Sequence, residues 1–202
     1  MSPVVERISE ALDNPFGSDA VTRESATALL ALLRRSDAWL DQMDRLPQSL
    51  CHWDAHRANL FSRTAQNGEV QTVAIDWAGV GWGPIGADLS KLLSQTVNFF
   101  GMDPASLPAL DAALFEQYLE GLRETGWRGD PRVVRFVYTA AAAMRLIVRT
   151  ASALQLIFDE RARASFERAA GQPFAVLARR FAQTLPYYLS LVDEARSLSS
   201  RD

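Results

Sequence analysis

The residues best suited to chemistry fall in one short segment, His52-Trp53-Asp54-Ala55-His56-Arg57-Ala58-Asn59, joined downstream by Asp76 in Ala74-Ile75-Asp76-Trp77. Asp54 and Asp76 offer carboxylates and Asn59 an amide oxygen. Phosphoryl transfer needs such a set: one carboxylate to orient and deprotonate an attacking hydroxyl, and oxygen ligands that hold magnesium against nucleotide phosphates. A loop from Asp54 to Asn59 brings both side chains to one end of a strand pair whose return strand ends at Asp76. Asp and Asn are also common turn residues, so the competing reading is a set of turn caps beside a hairpin. Both histidines of the chain, His52 and His56, lie in the same segment. His52 reads as a hydrogen-bonded core histidine, and His56 either approaches a phosphate or is an exposed loop residue. A third chemistry takes His52, Asp54, His56 and Asp76 as transition-metal ligands of a hydrolase. It is the weakest, because such sites recruit further histidines and the chain has none.

The elements that must position these residues are legible around them. Leu60-Phe61-Ser62 and Val70 to Ile75 flank Asn67-Gly68, a pair suited to a tight hairpin turn. Ahead of them, Ser2-Pro3 opens a helix that Asn14-Pro15-Phe16-Gly17 ends. A second helix, capped by Thr22 or Ser25, carries apolar residues at helical spacing from Leu29 to Leu46 before Pro47. Beyond a glycine-rich stretch from Gly79 to Gly86, helices are predicted near 86–100, 106–125, 131–158, 160–170 and 174–198, with Pro186 kinking or dividing the last. The fold class is α+β and predominantly helical. One domain over 1–202 comprises leading helices (1–49), a catalytic loop and β-hairpin (50–77) and a helical body (78–202).

Composition narrows the function. The chain has 202 residues, and 21 Lys and Arg against 24 Asp and Glu give a net charge of -3, which argues against a large nucleic-acid surface. Cys51 is the only cysteine, so no intramolecular disulfide forms, and the first residues lack a leader pattern; a cytoplasmic location is expected. Val133 to Phe158 is apolar but carries Arg135, Arg145 and Arg149, so it reads as a buried helix and no membrane association is expected. Arg132, Arg135, Arg145 and Arg149 form a stripe suited to an anionic substrate, and Asp111, Glu116, Glu120 and Glu124 a set suited to a cationic one. Ordinary helix-surface charge is the default for both. Trp77, Trp82 and Trp127 are core aromatics or the lining of a cleft.

His52-Trp53-Asp54-Ala55-His56-Arg57-Ala58-Asn59-Leu60-Phe61 followed by Ala74-Ile75-Asp76-Trp77 resembles the catalytic loop and metal-binding segment of the aminoglycoside phosphotransferase and choline kinase-like family, which shares the protein-kinase fold. The resemblance covers residues 50 to 93. It implies a C-terminal catalytic lobe in which Asp54 is the catalytic base, Asn59 and Asp76 are the magnesium ligands, and His52 braces the loop. It also implies that Asp88, in Gly83-Pro84-Ile85-Gly86-Ala87-Asp88-Leu89, supports the loop from the next helix. ATP would be the phosphoryl donor and a small-molecule hydroxyl the acceptor. Trp53 replaces a glycine usual in the family, and Arg57-Ala58 a common proline-glycine. The family's N-terminal lobe, with its phosphate-covering loop and phosphate-pairing lysine, has no recognisable counterpart: ahead of Cys51 the sole glycine is Gly17, and the only lysine, Lys91, follows the motif. Two functions follow. One is an ATP- and magnesium-dependent phosphotransferase, truncated or incomplete; the other is a catalytically silent kinase-like module that docks a partner or a separate N-lobe.

Overall fold

A computed structural model of the chain describes residues 7, 8, 10, 11, 13, 14, 23–98 and 101–199. The elements run α1 (Arg23–Leu33), α2 (Ser36–Asp44), β1 (Gln48–Cys51), β2 (Leu60–Thr64), β3 (Val70–Ala74), β4 (Gly81–Pro84), α3 (Ala87–Asn98), α4 (Leu107–Glu124), α5 (Pro131–Phe158), α6 (Glu160–Ala170) and α7 (Phe174–Ser199). The predominantly helical α+β class is as expected, and the five helices downstream of the glycine-rich stretch lie within about two residues of their predicted bounds.

Several features differ from the sequence reading. The predicted second helix is two: Ser36 Oγ donates to Leu33 O at 2.9 Å, taking an end carbonyl of α1 where α2 begins. Ser25 therefore lies inside a helix, while Thr22 and the Ser2-Pro3 start lie outside the described residues. A second ribbon also forms, β1 pairing antiparallel with β4 so that Gln48 faces Pro84 and Cys51 faces Gly81. Alternation is hard to see in Gly81-Trp82-Gly83-Pro84, where two glycines and a proline hide the period of two. Finally, Pro186 neither ends nor divides α7, whose neighbours Leu185 and Tyr188 are buried on either side of it.

The β2–β3 hairpin is present, with Leu60 opposite Ala74 and Thr64 opposite Val70. Its turn is not the tight two-residue kind. Gly68 N–H donates to Ala65 O at 2.9 Å, and in the turn only Gly68 takes a positive φ, 85°. That is a type I turn followed by a left-handed glycine, the commoner solution for a longer hairpin loop.

The core is built around α5. Asp130 caps it by accepting from Arg132 N–H at 2.9 Å, Pro131 occupies its first turn, and its buried residues run from Val134 to Ile157. It packs chiefly on α7 and α3, which accounts for its length and apolarity. Arg135 ties three helices together: it donates to Asp111 of α4 at 2.6 and 2.8 Å and to Glu194 of α7 at 2.8 and 2.7 Å. Tyr187 also donates to Asp111. Burial alone would push the Asp111 carboxyl up. The hydrogen bonds from Arg135 and Tyr187, with the guanidinium charge, outweigh it and hold the carboxyl below its ordinary range.

Because Asp111 titrates lower in the folded chain than in the unfolded one, its stabilisation is complete above the unfolded value of about 4 and is lost as pH falls through the folded value. Asp111→Ala is expected to lower the unfolding free energy by about 3 kcal/mol at neutral pH, the scale of a broken buried pair. Urea denaturation measures it, and the gap between variant and wild type should narrow as pH is lowered below 4. A neutral-pH loss under about 1 kcal/mol, the scale of an exposed pair, would contradict this role.

Candidate active site

The loop between β1 and β2 is held by the first turn of α3. Asp88 accepts two backbone hydrogen bonds at 2.8 Å, from His52 N–H on Oδ2 and from Trp53 N–H on Oδ1. His52 is buried, and both of its ring nitrogens are occupied. Nε2–H donates to Ile75 O at 2.8 Å, so Nδ1 is the acceptor for Asp54 N–H at 3.3 Å. Its ring also packs 4.6 Å from that of Trp77. One histidine thus links the loop to the strand that delivers Asp76.

Trp53 adopts φ 61°, a left-handed conformation that suits the glycine it replaces. The ribbon makes room for its indole: a Cβ on Gly83 would sit 2.3 Å from Trp53 Cζ2. The glycine has in effect moved across the ribbon from the loop to β4. A second close approach fixes Gly86, with φ 105° and a would-be Cβ 2.9 Å from Val134 O, where the chain enters α3.

Asp54 is the most heavily contacted group of the loop, yet its side chain remains 37% exposed. Lys91 Nζ lies 2.7 Å from Oδ1; Asn59 Nδ2 donates to Oδ2 at 3.2 Å, and His56 Nε2 stands 3.5 Å from the same oxygen. The bond from Lys91, with smaller help from its charge and from His56 and Asn59, outweighs partial burial and holds the Asp54 carboxyl below its usual range. Asp54 is therefore an anion at neutral pH, and a carboxylate's two oxygens retain lone pairs for a hydroxyl proton.

Asn59 is buried and uses its amide N–H groups on Asp54, donating also to Asp54 O at 3.1 Å. Its Oδ1 accepts no hydrogen bond among the described residues. Ile75 N–H donates to Asn59 O at 3.0 Å, extending the β2–β3 register by one pair, so Asp76 emerges beside Asn59. Asp76 is exposed, with a left-handed backbone at φ 60°, ψ 61°. Such strain in a non-glycine residue costs about 1–3 kcal/mol and concentrates at functional sites. An amide oxygen with no donor among the described residues, beside an exposed carboxylate, fits a hard cation that completes its shell with phosphate and water.

Asp54, Asn59, His52, His56 and Asp88 thus come together, with Asp76 on the same edge. The hydrolase ligand set does not assemble: His52 has no free nitrogen, and among the described residues no group of three or more His, Cys, Asp and Glu side chains could hold a metal. Sequence reasoning passed over Lys91 because it follows the motif. The signal was its place three residues after Asp88 at a helix start, a spacing that puts both side chains on one face.

Lys91→Met is expected to raise the Asp54 carboxyl toward the ordinary carboxylate value, moving any acid-side loss of Asp54 function to higher pH. Carbon-detected NMR titration of the side-chain carboxyl checks this. An unchanged Asp54 titration in the variant would show that Lys91 does not govern it.

One comparison with known proteins bears on this geometry. The model of the phosphotransferase enzyme family (APH) matches residues 10–137, more than half of the chain and the whole of the segment just described. Searches of the curated proteins and of the solved structures find no match. The match and the helical lobe agree with the resemblance carried by residues 50 to 93, and the chain belongs to the phosphotransferase enzyme family.

Proposed function

We propose that this chain is the catalytic lobe of an ATP- and magnesium-dependent phosphotransferase acting on a small-molecule hydroxyl, working in the cytoplasm. The observation that carries the reading is the convergence of Asp54, Asn59 and Asp76 at one end of the β2–β3 hairpin, with Lys91 fixing the Asp54 carboxylate. Asp54 would orient the acceptor hydroxyl and take its proton as the oxygen attacks the terminal phosphorus of ATP and ADP leaves. Asn59 and Asp76 would hold magnesium, which when bound neutralises the phosphate charge. His52 and Asp88 position the loop, and His56 and Lys91 keep Asp54 ionised. With the geometry fixed before substrate arrives, little reorganisation is left for the chemical step.

A second reading draws on another observation. Phe61 and Ile75 are 50% and 46% exposed on one face of the hairpin beside the loop. Such a face suits a nucleotide-covering lobe or a docked partner, and with no such cover the chain would act as a binding module.

The assays are ATP consumption with magnesium against a panel of alcohols, with a nucleotide-covering lobe supplied, and calorimetric titration of nucleotide. Asp54→Asn should cut turnover by roughly a hundredfold or more without unfolding the chain, the usual scale for loss of a general base. Asp76→Ala should abolish magnesium-dependent nucleotide binding. Undiminished turnover in the first variant, or unchanged binding in the second, would overturn the assignment; no turnover by wild type with any acceptor would favour the binding module.

A further inference from the structure

Beside the loop lies a cavity of about 720 Å³, bounded by α2, β4, α3, α5 and α7. Its walls are mainly apolar, with Met43, Met144, Phe174 and Phe181 among them and the indoles of Trp53 and Trp82 on the loop side. Lys91 lines it too, so the cavity reaches to within one side chain of Asp54.

The charges in this lining are unbalanced. Among the described residues, Lys91, Arg145 and Arg149 face one carboxylate, the exposed Asp44. Lys91 is engaged by Asp54, and Arg149 lies over the rings of Phe181 and Tyr188 at 4.7 and 5.3 Å. Arg145 is placed differently. Half-buried, it donates from Nε to Ser90 Oγ at 2.7 Å and makes no ion pair among the described residues. Burial depresses its guanidinium, with the charges of Asp88 and then Asp54 acting the other way. A largely desolvated cation at the wall of an apolar cavity is stabilised by an anionic ligand and destabilises a cationic one.

The carboxylates that a polycationic sugar would require are not here. Asp111 is committed to Arg135 and Tyr187, and Glu116, Glu120 and Glu124 are not in the lining. Arg145 and Arg149 lie beyond residue 137, outside the family match.

We propose that the cavity binds an amphipathic hydroxy acid, whose hydroxyl and carboxylate lie together at the Asp54 and Arg145 end and whose apolar body fills the space between α5 and α7. Arg145, on α5, and the loop are both held to α3, through Ser90 and through Asp88, so the two polar groups of the acceptor must be close neighbours in the molecule. The inference rests on the phosphotransferase reading for the fate of that hydroxyl, but not for binding.

The test is calorimetric titration of the whole chain, without nucleotide, with three probes on one carbon chain: 3-hydroxydecanoate, 1,3-decanediol and 1-amino-3-decanol, alongside kanamycin. The acid should bind about tenfold or more tighter than the diol, the scale of a charge-assisted hydrogen bond, with the amine weaker still and kanamycin not bound. Arg145→Met should erase the preference of acid over diol, and Arg145→Lys should retain part of it. Val148→Glu, at an exposed lining position away from the loop, should weaken the acid and favour the amine. Tightest binding by the amine or kanamycin, or no binding by any probe, would overturn the proposal. So would an Arg145→Met variant that loses affinity for magnesium-ATP while its affinity for the acid is unchanged, since Arg145 would then serve the nucleotide. The two readings fail separately. An acid that binds as expected but is not phosphorylated removes the phosphotransferase reading alone, whereas phosphorylation of an aminoglycoside without acid binding removes only the hydroxy acid.

Discussion

The site depends on one carboxylate, that of Asp88, accepting the backbone N–H groups of His52 and Trp53. Two charge-assisted bonds at 2.8 Å from the first turn of a helix fix the height and direction of the loop. They also help offset the left-handed backbone at Trp53, a cost of about 1–3 kcal/mol for a residue with a side chain. One turn further along the same helix Lys91 reaches the Asp54 carboxylate, so a single turn of α3 grips the loop by its backbone and by its central side chain. The rest of the helical body, with the Arg135 network at its centre, serves to hold that turn still.

Around this grip the site divides into two sides with different chemistry. Toward the hairpin are hard oxygen donors, the Oδ1 of Asn59 and the exposed carboxylate of Asp76, suited to a cation and phosphate. Toward α5 and α7 is an apolar cavity with cationic lining, suited to the body of an acceptor. Asp54 stands between them, the position that the proposed phosphoryl transfer would require of it. Buried and exposed surfaces are partitioned accordingly: His52 and Asn59 are covered, and Asp54 and Asp76 are open.

Much of this was legible in the sequence because the relevant signals are local. Helix bounds downstream of Gly86 follow from periodicity and capping residues such as Asp130 and Pro131, and the Asp54, Asn59 and Asp76 set follows from oxygen chemistry at hairpin spacing. What the sequence did not disclose depends on contacts across long separations. The β1–β4 ribbon joins residues thirty or more positions apart through a glycine-rich strand. The arginines of one stripe separate only in three dimensions, where Arg132 pairs with Asp130, Arg135 is locked between Asp111 and Glu194, and Arg145 and Arg149 turn to the cavity. Trp53 looked like a departure from its family, and only the space left by Gly83 explains how it is accommodated.

In the proposed enzyme, the grip of Asp88 on the loop assembles a metal-nucleotide site at Asp54, Asn59 and Asp76. Paramagnetic broadening of backbone amide resonances by manganese-ATP tests it most directly. The expected result is selective loss of the Asn59 and Asp76 signals, with the Asp54 amide affected next, and disappearance of this broadening in Asp88→Ala while the helical resonances stay in place. Broadening centred on another part of the chain, or an undisturbed pattern in Asp88→Ala, would contradict it.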